Sequence, residues 1–162
     1  MNLKKINDKI LLATDLVEIL KTKKNKTTVF TNGCFDILHK GHIEYLAKAS
    51  NLADLMIIGL NTDKSVSRLK GNSRPLQDEN SRAITIAALQ FVDYVVLFNE
   101  DTPYNLIRTL KPNVLVKGSD YKIEDIVGFD ILKQYGGEIK TIDFVEGYST
   151  TKIVDKILKQ CD

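Results

Sequence analysis

The chain is poor in residues that make covalent or metal cross-links, with two cysteines and two histidines among 162 residues. Two cysteines are too few for a disulfide framework or a structural zinc site, and Cys161 stands at a terminus expected to fray. A reducing compartment fits that usage. No apolar run approaches the ~20 residues of a membrane-spanning helix. The segment Met1 to Lys5 is charged and lacks the apolar core of a signal peptide, so a cytoplasmic protein with no membrane partner is expected. An excess of one charge is missing too. A formal net charge of +2 leaves no electrostatic footprint for nucleic acid, and the lysines between Lys21 and Lys26 have no aromatic residues interleaved, which reads as a solvated loop.

Three familiar site motifs are also absent. There is no Gly-x-x-x-x-Gly-Lys followed by Ser or Thr, which removes the main support for P-loop hydrolysis. No Gly-x-Gly-x-x-Gly follows the first strand, so ordinary dinucleotide binding is unsupported as well. Gly-x-Ser-x-Gly is missing, and with it the nucleophile of a Ser-His-Asp hydrolase.

With 43% apolar and 27% charged residues, the chain reads as one soluble globular domain, residues 1–162. Residues 1–26 would form an N-terminal helix and a basic linker, and residues 27–160 the core. After an amphipathic helix near Leu11 to Lys21, strands are expected at Thr27 to Thr31, Leu55 to Leu60, Tyr94 to Phe98, Val114 to Lys117 and Glu138 to Ile142. Between them, helices are expected at Gly41 to Ser50, Asp63 to Leu69, Glu79 to Phe91, Pro103 to Thr109, Ile123 to Lys133 and Ser149 to Lys159. That alternation predicts an α/β, Rossmann-like, open doubly wound parallel sheet of about five strands with flanking helices and right-handed crossovers. The second and third strands are almost wholly apolar, as burial on both faces requires. Ligands of such sheets bind beyond the carboxyl ends of the strands, where the strand order reverses.

Both histidines fall in one run, Thr31-Asn32-Gly33-Cys34-Phe35-Asp36-Ile37-Leu38-His39-Lys40-Gly41-His42, at a strand-to-helix junction. Backbone N–H groups and the positive end of a helix dipole gather anions at such a junction. His39 and His42, three apart, would share one side of the first helical turn and present donors to a phosphoryl group, with Gly41 admitting close approach to the backbone. A metal pair and a purely structural imidazole are the competing readings, and no third histidine or suitable cysteine supports the metal. Asp36 either fixes an imidazole tautomer or caps the turn, and Gly33 offers positive φ for a phosphate-binding turn. Only four arginines occur, and Arg68, Arg74 and Arg82 flank Lys70 as a candidate wall for phosphate. The polar stretch Lys70 to Asn80 is expected to act as a mobile flap. Gly147-Tyr148-Ser149-Thr150-Thr151 reads as either a second phosphate site or an N-cap.

These residues resemble a known family. The run from Thr31 to His42 matches the Thr-x-Gly-x-Phe-Asp-x-x-His-x-Gly-His signature of the nucleotidyltransferase superfamily related to class I aminoacyl-tRNA synthetases, and Ser149-Thr150-Thr151 resembles its second motif. Within it, the segments Leu69 to Pro75, Glu100 to Pro103, Leu115 to Tyr121 and Glu146 to Thr151 look closest to the D-glycero-β-D-manno-heptose 1-phosphate adenylyltransferases, here without the kinase half to which they can be fused. Glycerol-3-phosphate cytidylyltransferases are the nearest rivals, but they carry an arginine where this chain has Phe144. An FAD-synthetase-like adenylyltransferase and a non-catalytic nucleotide-binding module are the remaining alternatives.

The resemblance implies transfer of the adenylyl group of ATP to a sugar 1-phosphate, giving an ADP-sugar for surface polysaccharide. It implies catalytic roles for His39, His42 and Lys70. Nucleotide binding would fall to Asn32, Gly33, Cys34, Phe35, Asp36, Gly41, Lys117, Gly118, Asp120, Ser149, Thr150 and Thr151, and substrate binding to Asn61, Asp63, Arg74 and Arg82. Mg²⁺ would bridge the phosphates, with its protein ligands unknown, and a homodimer is the superfamily's habit.

Overall fold

Successive residues of a strand point to opposite faces of a sheet, and here each face meets its own apolar layer. Val29, Met56, Ile58, Val95 and Val116 join one cluster with Leu46 and Ile86. Their strand neighbours Phe30, Ile57, Val96 and Leu115 join a second with Leu16, Ile107 and Leu132. Each fully buried Leu, Ile or Phe is worth ~1.5–3 kcal/mol over its exposed state.

The computed structural model describes residues 2–161. Its strands are β1 (Ile10–Leu11), β2 (Thr28–Gly33), β3 (Leu55–Asn61), β4 (Tyr94–Phe98), β5 (Val114–Gly118) and β6 (Glu138–Ile142), in the order β1-β4-β3-β2-β5-β6. All paired strands run parallel. The helices are α1 (Leu3–Asn7), α2 (Ala13–Thr22), α3 (Lys40–Ser50), α4 (Asp63–Lys70), α5 (Glu79–Ala87), α6 (Tyr104–Leu110), α7 (Phe129–Tyr135) and α8 (Thr150–Cys161). From β2 the chain winds outward through β3 to β4, then crosses back to lay β5 on the other side of β2. The order therefore reverses between β2 and β5, which places the signature run at the switch point.

The doubly wound architecture is as the sequence implies, with six strands rather than about five. The extra strand, β1, is two residues long and pairs with β4 at Ile10 and Leu11, the second of them expected to open a helix. Two residues are too few to show any period. The N-terminal segment is thus part of the sheet, and Leu16 on α2 is completely buried, so Leu16→Ala would cost ~2–5 kcal/mol. The single helix expected from Ile123 to Lys133 is divided into a 3₁₀ turn, Ile123–Asp125, and α7, because Gly128 takes φ +97° between them. The helix expected to reach Phe91 stops at Ala87, where the chain turns back to start β4. No helix among the described residues is long and apolar enough to cross a membrane.

Candidate active site

The loop after β2 is held by a strained residue. Phe35 lies in the left-handed region at φ 46°, a conformation costing ~1–3 kcal/mol in a residue with a side chain. Its ring lies over Gly33, where an added Cβ would come within 3.0 Å of it, and meets the His42 ring edge-on at 5.3 Å. The positive φ expected of Gly33 belongs instead to Phe35, and Gly33 serves by lacking a side chain. Gly41 does likewise, since a Cβ there would sit 3.1 Å from the His39 ring and 3.2 Å from Tyr148.

His39 is the N-cap of α3, with extended backbone and Nδ1 accepting the backbone N–H of His42 at 3.3 Å. Because Nδ1 accepts, the neutral ring carries its proton on Nε2. The two imidazoles stack with centroids 3.8 Å apart and planes 19° from parallel. Burial lowers the pKa of His42 to about 4, with the neighbouring His39 and Lys70 pushing the same way and the Ile37 carbonyl opposing. Burial lowers that of His39 as well. At neutral pH both rings are uncharged hydrogen-bonding groups.

A cavity of ≈ 650 Å³ opens at this end of the sheet. It gathers Asn32, Gly33, Cys34, Phe35, Asp36, His39, Gly41 and His42 from the signature run, Asn61 from β3, Lys70 from α4, Lys117 and Gly118 from β5, and Ser149, Thr150 and Thr151 at α8. Lys117 donates to the Asn32 side-chain oxygen, and burial lowers its pKa to about 8 against the pull of Asp120. Ser149 Oγ accepts from the backbone N–H of Lys152 at 3.1 Å, so the hydroxyl motif does cap α8 while lining the cavity.

Asp63, Arg74, Arg82 and Asp120 are not in the lining. Arg82 is buried, and its guanidinium donates to the carbonyls of Gln77 (3.0 Å) and Cys34 (2.6 Å) and to Asp63 (2.7 Å). Those contacts account for both Arg82 and Asp63. Arg68 pairs with Asp101 at 2.7 Å, so all three clustered arginines hold protein groups, not an open phosphate wall. Arg74 binds Asp36 at 2.9 Å, and the same carboxylate accepts from the N–H groups of Leu76 (2.8 Å) and Gln77 (3.0 Å). Asp36 therefore neither orients an imidazole nor caps α3; it clasps the segment expected to be a mobile flap. Burial pushes the Asp36 pKa up, but the bonds from Gln77, Arg74 and Leu76 outweigh it and the net shift is down.

Sequence reasoning missed several lining residues, among them Tyr45, Asp101, Tyr121, Phe144 and Tyr148. Tyr45 had a signal, since it follows His42 by three on α3 and shares its face. Phe144 is seated by Gly118, where a Cβ would fall 2.2 Å from the ring, and it stacks on Tyr45 at 6.0 Å. That seat joins β5 to the loop after β6 and has no local pattern. Among the described residues, no group of three or more His, Cys, Asp or Glu is placed to hold a metal ion. Cys34, the thiol in the cavity, is held protonated by burial, against Lys70 and Arg82; the Cys161 side chain lies outside those described.

Comparison with known proteins places the cavity in context. The model of the cytidylyltransferase-like family matches residues 30–156. The chain is 53% identical over 154 residues to the bifunctional protein HldE of Syntrophotalea carbinolica, covering 94% of this chain and 31% of that protein. To its namesake from Campylobacter concisus it is 57% identical over 143 residues, covering 88% and 29%. The chain thus spans about a third of the length of these curated relatives. Among solved structures, a lipopolysaccharide core biosynthesis protein from Thermoplasma volcanium superposes with TM-score 0.60 at 30% identity, over 76% of this chain and 99% of that one. A pantoate-beta-alanine ligase from Francisella tularensis gives the same TM-score at 17% identity over 93% and 77%, a likeness of fold alone.

Proposed function

The chain belongs to the cytidylyltransferase-like family of nucleotidyltransferases, and on that premise we propose that it joins ATP to a sugar 1-phosphate, D-glycero-β-D-manno-heptose 1-phosphate, releasing pyrophosphate. The observation that carries the reading is the stacked, uncharged His39–His42 pair on a cavity at the switch point of the sheet. Likeness to a lipopolysaccharide core biosynthesis protein supports a product destined for surface polysaccharide. Residues 2–161 act as one nucleotidyltransferase unit, and a homodimer is the proposed solution state.

In the reaction, a phosphate oxygen of the sugar attacks the α-phosphorus of ATP. The new P–O bond forms as the bond to the β-phosphate oxygen breaks, and pyrophosphate leaves with the electron pair. The nucleophile is already an anion, so no general base is needed and catalysis is positioning and charge stabilisation. His39 Nε2–H and His42 donate to α- and β-phosphate oxygens. Lys70, at the end of α4, neutralises the equatorial oxygens, and Lys117 holds nucleotide phosphate from β5. The N-terminus of α8, with Ser149 and Thr150, receives the β- and γ-phosphates. Among the described residues no cluster of carboxylates, histidines or cysteines makes a metal cage, so Mg²⁺ would enter on the triphosphate.

Phe144 packs over Gly118, and by the resemblance it stands where glycerol-3-phosphate cytidylyltransferases carry an arginine, which supports ATP over CTP. The test is pyrophosphate release from ATP and CTP with heptose 1-phosphate, other sugar 1-phosphates, glycerol 3-phosphate and FMN. ATP with a sugar 1-phosphate should be fastest. Faster release with CTP would move the assignment to the cytidylyltransferases, FMN turnover to the FAD synthetases, and tight ATP binding without any turnover to a binding module.

A further inference from the structure

Where β3 meets α4, three polar groups stand in series that the reaction above does not use. Asn61 Nδ2 lies 2.9 Å from Ser65 Oγ, and Ser65 Oγ lies 2.9 Å from the carbonyl oxygen of Glu100. Ser65 is 0% exposed and Asn61 3%.

The direction of these bonds is forced. A backbone carbonyl only accepts, so the Ser65 hydroxyl donates its one proton to Glu100 and must accept from Asn61. Asn61 therefore turns its NH₂ toward Ser65, and its Oδ1 faces the other way. There its polar neighbour is the Cys34 thiol at 4.0 Å, and both residues line the cavity. A thiol is a weak donor, which leaves Oδ1 with acceptor capacity toward the cavity.

We infer that Ser65 is a positioning residue that locks the Asn61 amide with its oxygen toward the cavity, and that this oxygen selects a second substrate carrying a hydroxyl group. The ligand class is a polyol or sugar phosphate, so the inference rests on the reaction proposed above. A substrate with hydrogen in place of that hydroxyl leaves Asn61 Oδ1 buried without a donor, and sites built around a hydroxyl reject such analogues strongly. Without Ser65 the amide is free to rotate and the acceptor is no longer preorganised.

Two measurements test the lock and the selection separately. In ¹⁵N-labelled protein without ligand, the Asn61 side-chain NH₂ should exchange with solvent slowly, and Ser65→Ala should speed that exchange at least about tenfold. Equal rates overturn the lock. In steady-state assays Ser65→Ala should raise the KM for the sugar 1-phosphate about tenfold while leaving the KM for ATP within about twofold, the loss of one preorganised hydrogen bond. In an Asn61→Ala background the same substitution should add nothing, because Ser65 acts through Asn61. Additive effects, or an equal rise in both KM values, overturn the selection and make Ser65 merely structural. Wild-type protein that releases no pyrophosphate with any sugar 1-phosphate overturns the reaction and the selection with it, while the lock is judged on the exchange rates alone.

Discussion

His39 and His42 stack ring on ring, 3.8 Å between centroids, with the backbone N–H of one held by Nδ1 of the other. Two cations at that separation would repel strongly, and the burial of His42 outweighs the Ile37 carbonyl, the one group that favours a second proton on its ring. The pair is therefore uncharged at neutral pH, the state the proposed donor role requires. Because His39 is also the cap of α3, its contribution to the helix and its contribution to chemistry can be separated by substitution.

Asparagine is as good an N-cap as any residue, whereas alanine is a poor one. His39→Asn should keep the wild-type melting temperature and lower kcat by ~10²-fold, the scale of losing one preorganised donor. His39→Ala should lose similar activity and, in addition, ~1 kcal/mol of stability. His42→Ala should also reduce turnover by ~10²-fold. Turnover of His42→Ala within a few-fold of wild type would remove the histidines from the mechanism.

The low pKa of His42 has a consequence for stability with a definite sign. Between pH 6.5 and about 4 the unfolded chain binds a proton at this residue that the folded chain refuses, so stability falls as pH drops through that window. Asp36 acts in the same direction but lower. Its folded pKa lies below the ordinary carboxylate value of 3.8, so its contribution is intact above that value and is lost as pH falls through the folded pKa. Chemical denaturation of wild type and His42→Gln at pH 7, 5 and 2.5 should show a smaller first decline in the variant, which keeps only the lowered pKa of His39, and the second decline in both.

Asp36 clasps the segment that follows Lys70, through Arg74, Leu76 and Gln77. Asp36→Asn keeps the shape but loses the charge that pairs with the partly exposed Arg74, which should cost less than the ~3–5 kcal/mol of breaking a fully buried pair. Limited proteolysis should then cut between residues 70 and 77 faster than in wild type. The kcat should fall toward that of Lys70→Ala, with the KM for ATP changing less. Unchanged proteolysis together with full activity would mean that the clasp does not position Lys70.

Much of this arrangement was legible in the sequence, and the parts that were not share a cause. The strands β4 and β6 and the helix after His39 follow from local hydrophobic period, and the signature run and hydroxyl motif follow from local chemistry. What escaped depends on long-range pairing. The use of Arg82 is decided by Cys34 and Asp63, 48 and 19 residues away, and that of Asp36 by residues about 40 positions on. An arginine cluster in sequence cannot say whether its forks face phosphate or protein. Gly128 broke a helix whose period was otherwise sound, because the chain needed a left-handed turn there.

Lys117 provides a last prediction in which activity and stability move in opposite directions. Its pKa of about 8 means that the empty enzyme loses a positive charge in the cavity as pH rises past 8. The kcat/KM for ATP should therefore be level from pH 6.5 to 7.5 and decline above pH 8, approaching a tenfold loss per unit where this one group dominates. Stability should do the reverse. Between pH 8 and the ordinary lysine value of 10.5 the unfolded chain binds the proton that the folded chain has released, so the fold gains stability as pH rises through that range. A fall in kcat/KM accompanied by a flat or rising denaturation midpoint cannot be unfolding. Lys117→Arg, charged throughout, should abolish the alkaline decline, and Lys117→Met should raise the KM for ATP at every pH. A decline that survives in Lys117→Arg would have to come from another group.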